Sequence, residues 1–226
     1  MYLKIILLSI CLLQLSLLEA QEDSIPKGFG YIHEEIPSIR YEIRYASNNN
    51  FIGTTIDGYI NEVAILSNEA LKGLSNVQKE LESLGLGIKV FDAYRPQRAV
   101  NHFVRWARIP NDTLMKSIYY PDVPKNELFK RGYIASKSGH TRGSTVDLSF
   151  IHLDTQEELD VGGPFDFFGK LSHHDYKNIT TEQRSNRAFM KAIMSKHGFR
   201  SYSEEWWHYT LRGEPYPDTY FDFVVK

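Results

Sequence analysis

Two histidines, an aspartate and a glutamate fall at spacings that could build a catalytic metal site. His140 and Asp147 stand on either side of Gly143 in the stretch Ser138-Gly139-His140-Thr141-Arg142-Gly143-Ser144-Thr145-Val146-Asp147, and Glu205 and His208 frame Glu205-Trp206-Trp207-His208. A catalytic zinc takes three nitrogen or oxygen ligands from the protein and leaves one position for water. A loop leading into a strand would turn His140 and Asp147 inward. His208 would complete the set from a neighbouring strand, and Glu205 would reach the water without being a ligand. Zinc would lower the pKa of that water towards ~7 and polarise a scissile carbonyl. Glu205 would take the proton and hand it to the leaving amine. A nearby cation would then stabilise the charge that develops on the carbonyl oxygen. Arg95 is the candidate for that cation, because it sits in a turn that leaves a short strand; its alternative is a surface pair with Asp92. Singly, each residue has an ordinary structural role open to it, such as a histidine that is simply hydrogen-bonded. The joint pattern carries the reading: one zinc per chain, although a His2Asp set also suits other divalent ions.

The remaining histidines are weaker candidates. His102 and His197 fall on predicted helices and read as structural, and His152 follows the strand that carries Asp147. His173-His174 could form a second metal site, but support of a loop near the first site suits adjacent histidines better.

The elements that must position these groups are legible in part. Val63, Leu66, Ala70, Leu74, Val77, Leu81 and Leu84 recur every three or four residues, which predicts a helix over 62–84 that ends at Gly85 and Gly87. Ile88 to Phe91 reads as a strand, and a second helix follows from Pro96 to Arg108. Residues 109–135 contain Pro110, Pro121 and Pro124 and read as loop with short helical turns. Thr145 to Phe150 alternates as a strand would. Thr180 and Gln183 suggest a capping box that opens a helix to about His197, with Gly198 as its stop. Trp206 to Leu211 reads as a last strand. Residues 25–60 look like an irregular arm with short extended pieces such as Ile39 to Tyr45. Strands and helices mix without a regular βαβ rhythm, so the expected class is α+β in a single domain.

With 226 residues, 42% hydrophobic and 24% charged, the chain can bury a full core around such a site. Its formal charge of −2 provides no basic footprint for nucleic acid. Lys4, the apolar run Ile5–Leu18 and Glu19-Ala20 before a polar stretch have the outline of a secretory signal peptide. The run is shorter than the ~20 residues that a spanning helix needs. The expected division is therefore a leader over 1–20 and one domain over 21–226, exported and periplasmic, or cytoplasmic if the leader is not used. Cys11 is the only cysteine, so the mature chain would use neither disulfide nor thiolate.

Ser-x-His-x-x-Gly-x-x-x-Asp followed by Glu-x-x-His resembles the pattern of the zinc D,D-peptidases, and more closely that of the vancomycin-resistance-type D-alanyl-D-alanine dipeptidases of peptidase family M15. The likeness runs from about Tyr41 to Lys226 and includes Arg44-Tyr45-Ala46, Tyr94-Arg95-Pro96-Gln97-Arg98, Phe165-Asp166-Phe167 and Glu214-Pro215-Tyr216-Pro217. The resemblance implies a small antiparallel sheet with flanking helices, zinc on His140, Asp147 and His208, Glu205 as base and Arg95 as stabiliser of the transition state. It further implies that Ser138 and Asp166 hold the free amino end of a small dipeptide and that Tyr45 lies at the substrate site. A buried ammonium needs a carboxylate partner, and an acylated amine would leave that carboxylate unpaired. The expected activity is hydrolysis of D-alanyl-D-alanine in peptidoglycan metabolism. The leader points to wall turnover or scavenging outside the cytoplasm. Two other readings stand beside it: an exported D,D- or L,D-carboxypeptidase that trims muropeptides, and a wall-binding module in which Glu205 is dispensable.

Overall fold

The computed structural model describes residues 25–226, and the expected leader over 1–20, with Cys11, lies outside the described residues. Seven strands form in chain order: β1 (Phe29–Tyr31), β2 (Arg40–Tyr41), β3 (Ile65–Ser67), β4 (Leu86–Asp92), β5 (Thr145–His152), β6 (Phe199–Tyr202) and β7 (Glu205–Leu211). Strands β1 and β3 pair as a small ribbon, and the other five form one sheet in the order β2-β4-β5-β7-β6. The sheet is antiparallel from β4 through β6, and the two-residue β2 lies parallel to β4 at its edge. With the helices below, this is the expected α+β architecture with a small antiparallel sheet.

Register is what makes the site. Asp92 of β4 lies opposite Asp147 of β5, and Asp147 lies opposite His208 of β7. Directly opposed residues point to the same face with their Cβ atoms close together, so three polar side chains form a row across three adjacent strands. The alignment depends on an irregularity. β4 pairs Val90 with Leu148 and then Asp92 with Asp147, which leaves Phe91 as an extra residue. Such a bulge re-aims the side chains that follow it. A second irregularity separates the Ser201–Tyr209 pair from the Tyr202–Glu205 pair at the β6–β7 hairpin, close to Glu205 and His208.

Two long helices, Asn68–Glu82 and Thr181–Lys196, support the sheet. The first starts six residues later than its apolar period predicts. Ser67 caps it by accepting from Ala70 N–H, so Val63 precedes the ribbon and Leu66 belongs to β3. A buried strand and a helix share the same apolar spacing over so short a run, and the cap decides between them. Leu84 lies beyond the helix end and is exposed. The helix is joined to the sheet through Gln78, whose Oε1 accepts from Ile88 N–H at 2.9 Å. The second helix opens with the expected Thr180–Gln183 capping box. Gln97–Ala107 forms the helix after Pro96, and 109–135 holds only the short turns Lys116–Tyr119 and Lys125–Glu127. β5 does not alternate: every residue from Thr145 to Ile151 is buried, because the central strand is covered on both faces. β6 has no apolar rhythm in the sequence and arises by pairing with β7.

Candidate metal centre and pocket

His140 enters the site on a single 3-10 turn, His140–Arg142, that closes at Gly143 with φ 82°. A side chain at Gly143 would also collide with Phe29, whose ring lies 2.2 Å from the place a Cβ would occupy. That contact and the left-handed backbone make glycine the fitting residue there. Nδ1 of His140 lies 2.7 Å from the Ala93 carbonyl oxygen. That bond places the ring proton on Nδ1 and leaves the lone pair of Nε2 facing inward, as a metal-ligating histidine requires.

The inward atoms converge. His140 Nε2 lies 3.3 Å from Asp147 Oδ1 and 3.2 Å from His208 Nδ1, and His208 Nδ1 lies 3.1 Å from Asp147 Oδ1. Tetrahedral zinc with bonds of about 2.0 Å has ligand-to-ligand edges of about 3.3 Å. The triangle therefore has the size that zinc requires, and the donor set is chemically suitable. Asp147 Oδ1 is buried against the ring nitrogens of His140 and His208, at 3.3 Å and 3.1 Å, and no backbone or hydroxyl donor supplies the hydrogen bond that a buried oxygen needs. Burial alone would raise the Asp147 carboxyl, but His140 and His208 overcome it and hold the group well below the usual carboxylate range. Burial lowers His140, favouring the neutral ring that binds metal. His208 is raised, because its hydrogen bond to Asp147 and the charges of Asp147 and Glu205 outweigh burial.

Glu205 and Arg95 flank the triangle. Glu205 Oε2 lies 3.3 Å from His208 Nδ1. Burial pushes the Glu205 carboxyl up to about 7, with Asp147 adding to the rise and His208 opposing it. A carboxyl at that value can both accept and release a proton near neutrality. Arg95 does pair with Asp92, but inside the protein. Its Nε and Nη2 lie 2.9 Å and 2.8 Å from Asp92 Oδ2, and Nη2 lies 3.7 Å from Asp147 Oδ2. The guanidinium rests over the rings of Tyr45 and Phe103 at 4.9 Å and 5.3 Å. Asp92 is itself fully buried and also accepts from Tyr59 Oη at 2.6 Å. Asp92 thus fixes the direction of Arg95, and it is the residue that sequence reasoning undervalued. Its signal was its position at the end of a strand, three residues before the arginine.

Asp166 occupies the left-handed region, φ 60°, and its Oδ2 accepts from Tyr45 Oη at 2.8 Å. No cation forms an ion pair with it among the described residues. Burial, with Asp147 adding to it, pushes its carboxyl up to about 8. Ser138 stands at the entry to the His140 turn, where its Oγ accepts from His140 N–H at 3.3 Å. All eight expected site residues line one cavity of about 250 Å³, walled also by Phe51, Phe103, Tyr133, Phe168, Tyr202 and Trp207. That is smaller than the ~300–1,000 Å³ of pockets that hold drug-sized ligands.

The other histidines lie elsewhere. His197 Nε2 pairs with Glu80 at 2.7 Å, and His102 Nδ1 accepts from Asp57 N–H at 3.2 Å. His173 and His174 do not line the cavity, and they form no metal cluster with other residues among those described. The backbone of His174 nevertheless ties the loop to Ser203, in the turn just before Glu205.

Residues 27–226 match the family model for the D-Ala-D-Ala dipeptidases of peptidase family M15. The chain is 43% identical over 197 residues to the D-alanyl-D-alanine dipeptidase of Streptomyces coelicolor, covering 87% of this chain and 98% of the relative. It is 44% identical over 199 residues to the D-alanyl-D-alanine dipeptidase of Enterococcus faecalis, covering 88% and 98%. The dipeptidase of Escherichia coli is more distant, at 29% over 175 residues, 77% of this chain and 80% of the relative.

Proposed function

The chain belongs to the D-Ala-D-Ala dipeptidases of peptidase family M15, a metallopeptidase family, and from that premise we propose that it hydrolyses D-alanyl-D-alanine to two D-alanines using one zinc ion held by His140, Asp147 and His208. The observation that carries this reading is the content of one small cavity: three converging metal donors, a buried glutamate carboxyl beside them and a second buried carboxyl group, Asp166, that forms no ion pair among the described residues.

Bound zinc supplies Lewis-acid activation of a carbonyl and of water. The protein supplies the rest. Glu205 accepts a proton from the attacking water and delivers it to the leaving amine, which its raised pKa suits. Arg95, held by Asp92, presents a fixed positive charge to the developing oxyanion without needing to reorganise. Asp166 and Ser138 receive the substrate's ammonium, and the hydroxyl of Tyr45 keeps the Asp166 carboxylate oriented. An ammonium favours the ionised form of Asp166 and pairs with it, the proton leaving to solvent, whereas an N-acylated substrate brings no cation and leaves the group an uncharged acid that gains no ion pair.

In this reading the reaction serves peptidoglycan metabolism, residues 1–20 act as an export leader and 21–226 as the catalytic domain, and the leader-like composition of the first twenty residues supports a location outside the cytoplasm. No helix among the described residues is long and apolar enough to cross a membrane. The deciding assay offers the purified protein D-Ala-D-Ala, a D,D-pentapeptide and L-Ala-L-Ala, with and without chelator. Chelator-sensitive cleavage of the D,D-dipeptide alone is expected. Cleavage of the pentapeptide instead would make the protein a carboxypeptidase. Cell fractionation tests the location: intact protein in the cytoplasm with its first twenty residues present would remove the export proposal.

A further inference from the structure

The segment that brings Asp166 and Phe168 to the cavity contains no regular element except the 3-10 turn Lys170–Ser172. Both ends of this segment meet at one side chain. Arg187, on the helix Thr181–Lys196, is 1% exposed. Its Nε donates to the Val161 carbonyl at 2.7 Å, Nη1 to the His173 carbonyl at 2.6 Å and Nη2 to the Leu171 carbonyl at 2.9 Å. No carboxylate pairs with it among the described residues.

A guanidinium buried without a counter-ion is a costly choice for a chain that needed only packing. Its planar fork suits several acceptors in fixed directions, which a lysine cannot match. Here the fork satisfies three main-chain oxygens, that of Val161 in a buried bond, and holds the two ends of the segment together. The same helix adds weaker ties: Gln183 and Asn186 donate to Asp160 just upstream. Within the loop, Ser172 Oγ donates to the Phe167 carbonyl at 2.5 Å, so the turn is anchored on both sides of Asp166.

Asp166 needs such anchoring. A non-glycine residue in the left-handed region is strained and persists only where its surroundings fix it. Tyr45 fixes the carboxylate, and something must fix the backbone. We propose that Arg187 is the positioning residue of the amino-end site: its clasp on Val161, Leu171 and His173 holds Asp166 where a free ammonium, and not an acylated amine, completes the pocket. This rests on the role assigned above to Asp166.

The test uses full-length Arg187→Lys and Arg187→Met with the wild type, all loaded with zinc. Each is assayed on D-Ala-D-Ala and on N-acetyl-D-Ala-D-Ala, with zinc content and unfolding midpoint measured alongside. The expected result is a fall of about ten-fold or more in the preference for the free dipeptide, expressed through KM more than kcat. Loss of stability alone would reduce the active fraction and leave the preference unchanged. If Arg187→Met does not fold, Arg187→Lys decides, since it keeps the charge and loses the fork. A folded, zinc-loaded Arg187→Lys whose preference stays within about two-fold of wild type overturns the proposal. Asp166→Asn, assayed in parallel, separates the two ideas. If it leaves the preference intact, the ammonium binds elsewhere and the clasp has no consequence for specificity.

Discussion

Glu205→Ala should keep its zinc and lose turnover by roughly 10²–10⁴-fold, the usual contribution of a positioned acid and base. Near-wild-type turnover in that variant would assign the proton transfer to another group. His208→Ala removes one edge of the 3.1–3.3 Å triangle and should lose metal; zinc measured at full stoichiometry would take it out of the ligand set. Asp166 makes a prediction about stability. Its carboxyl is raised from 3.8 to about 8, so between those values the folded protein keeps a proton that the unfolded chain has released. Stability therefore falls as pH rises through this window, and the loss is complete above about 8. Asp166→Asn has no such titration. In chelator-treated protein it should match wild type near pH 4 and exceed it at pH 9, by on the order of 2–5 kcal/mol. Urea midpoints at the two pH values check this, and equal midpoints at pH 9 would show that the carboxylate has a partner there. The grouping of His140, Asp147 and His208 with Glu205 and Arg95 in one cavity was legible in the sequence because the chemistry proposed for them is specific to their residue types. The burial of Asp92 was not, because an aspartate three residues before an arginine has the same letters on a surface and in a core.

At the scale of elements, the loop-to-strand passage around Gly143 is the most constrained part of the site. Gly143→Ala adds a Cβ 2.2 Å from the Phe29 ring at a backbone φ of 82°. It should destabilise the protein by on the order of 2–4 kcal/mol and weaken zinc affinity as well, since His140 lies on the turn that Gly143 closes. Unfolding midpoints and a metal titration would show both effects; a drop in stability with unchanged affinity would mean that the turn relaxes without moving His140. The limits of sequence reading are also clearest here. The helix Thr181–Lys196 was readable from its capping box, because the signal is local. The start of the helix Asn68–Glu82 was not, because Leu66 fits either a helix face or a buried strand, and the Ser67 cap marks the boundary only together with pairing to β1. The bulge at Phe91 and the strand β6 were invisible for the same reason: register belongs to pairs of strands, and neither strand encodes it alone.

For the whole molecule, metal and fold should be linked. An ion that binds only the folded chain stabilises it by mass action, by about 4 kcal/mol at a thousand-fold excess over Kd. For a chain of this size that corresponds to roughly 10 °C in Tm. Removing zinc with a chelator should lower Tm by that order and re-adding it should restore it; an unchanged Tm would mean that the triangle is held by the scaffold with or without an ion. The sheet gives this linkage a further consequence. Asp147 and His208 meet only because β5 and β7, far apart in the chain, are paired in one alignment. His140 joins them only when its turn has closed on Gly143. A chain that collapses with either strand slipped by one residue would be compact and would still offer no three-donor site. Uptake of metal during refolding is therefore a checksum on topology: it reads zero for every misaligned molecule and one for the correct one, and its time course measures the slowest of the long-range pairings.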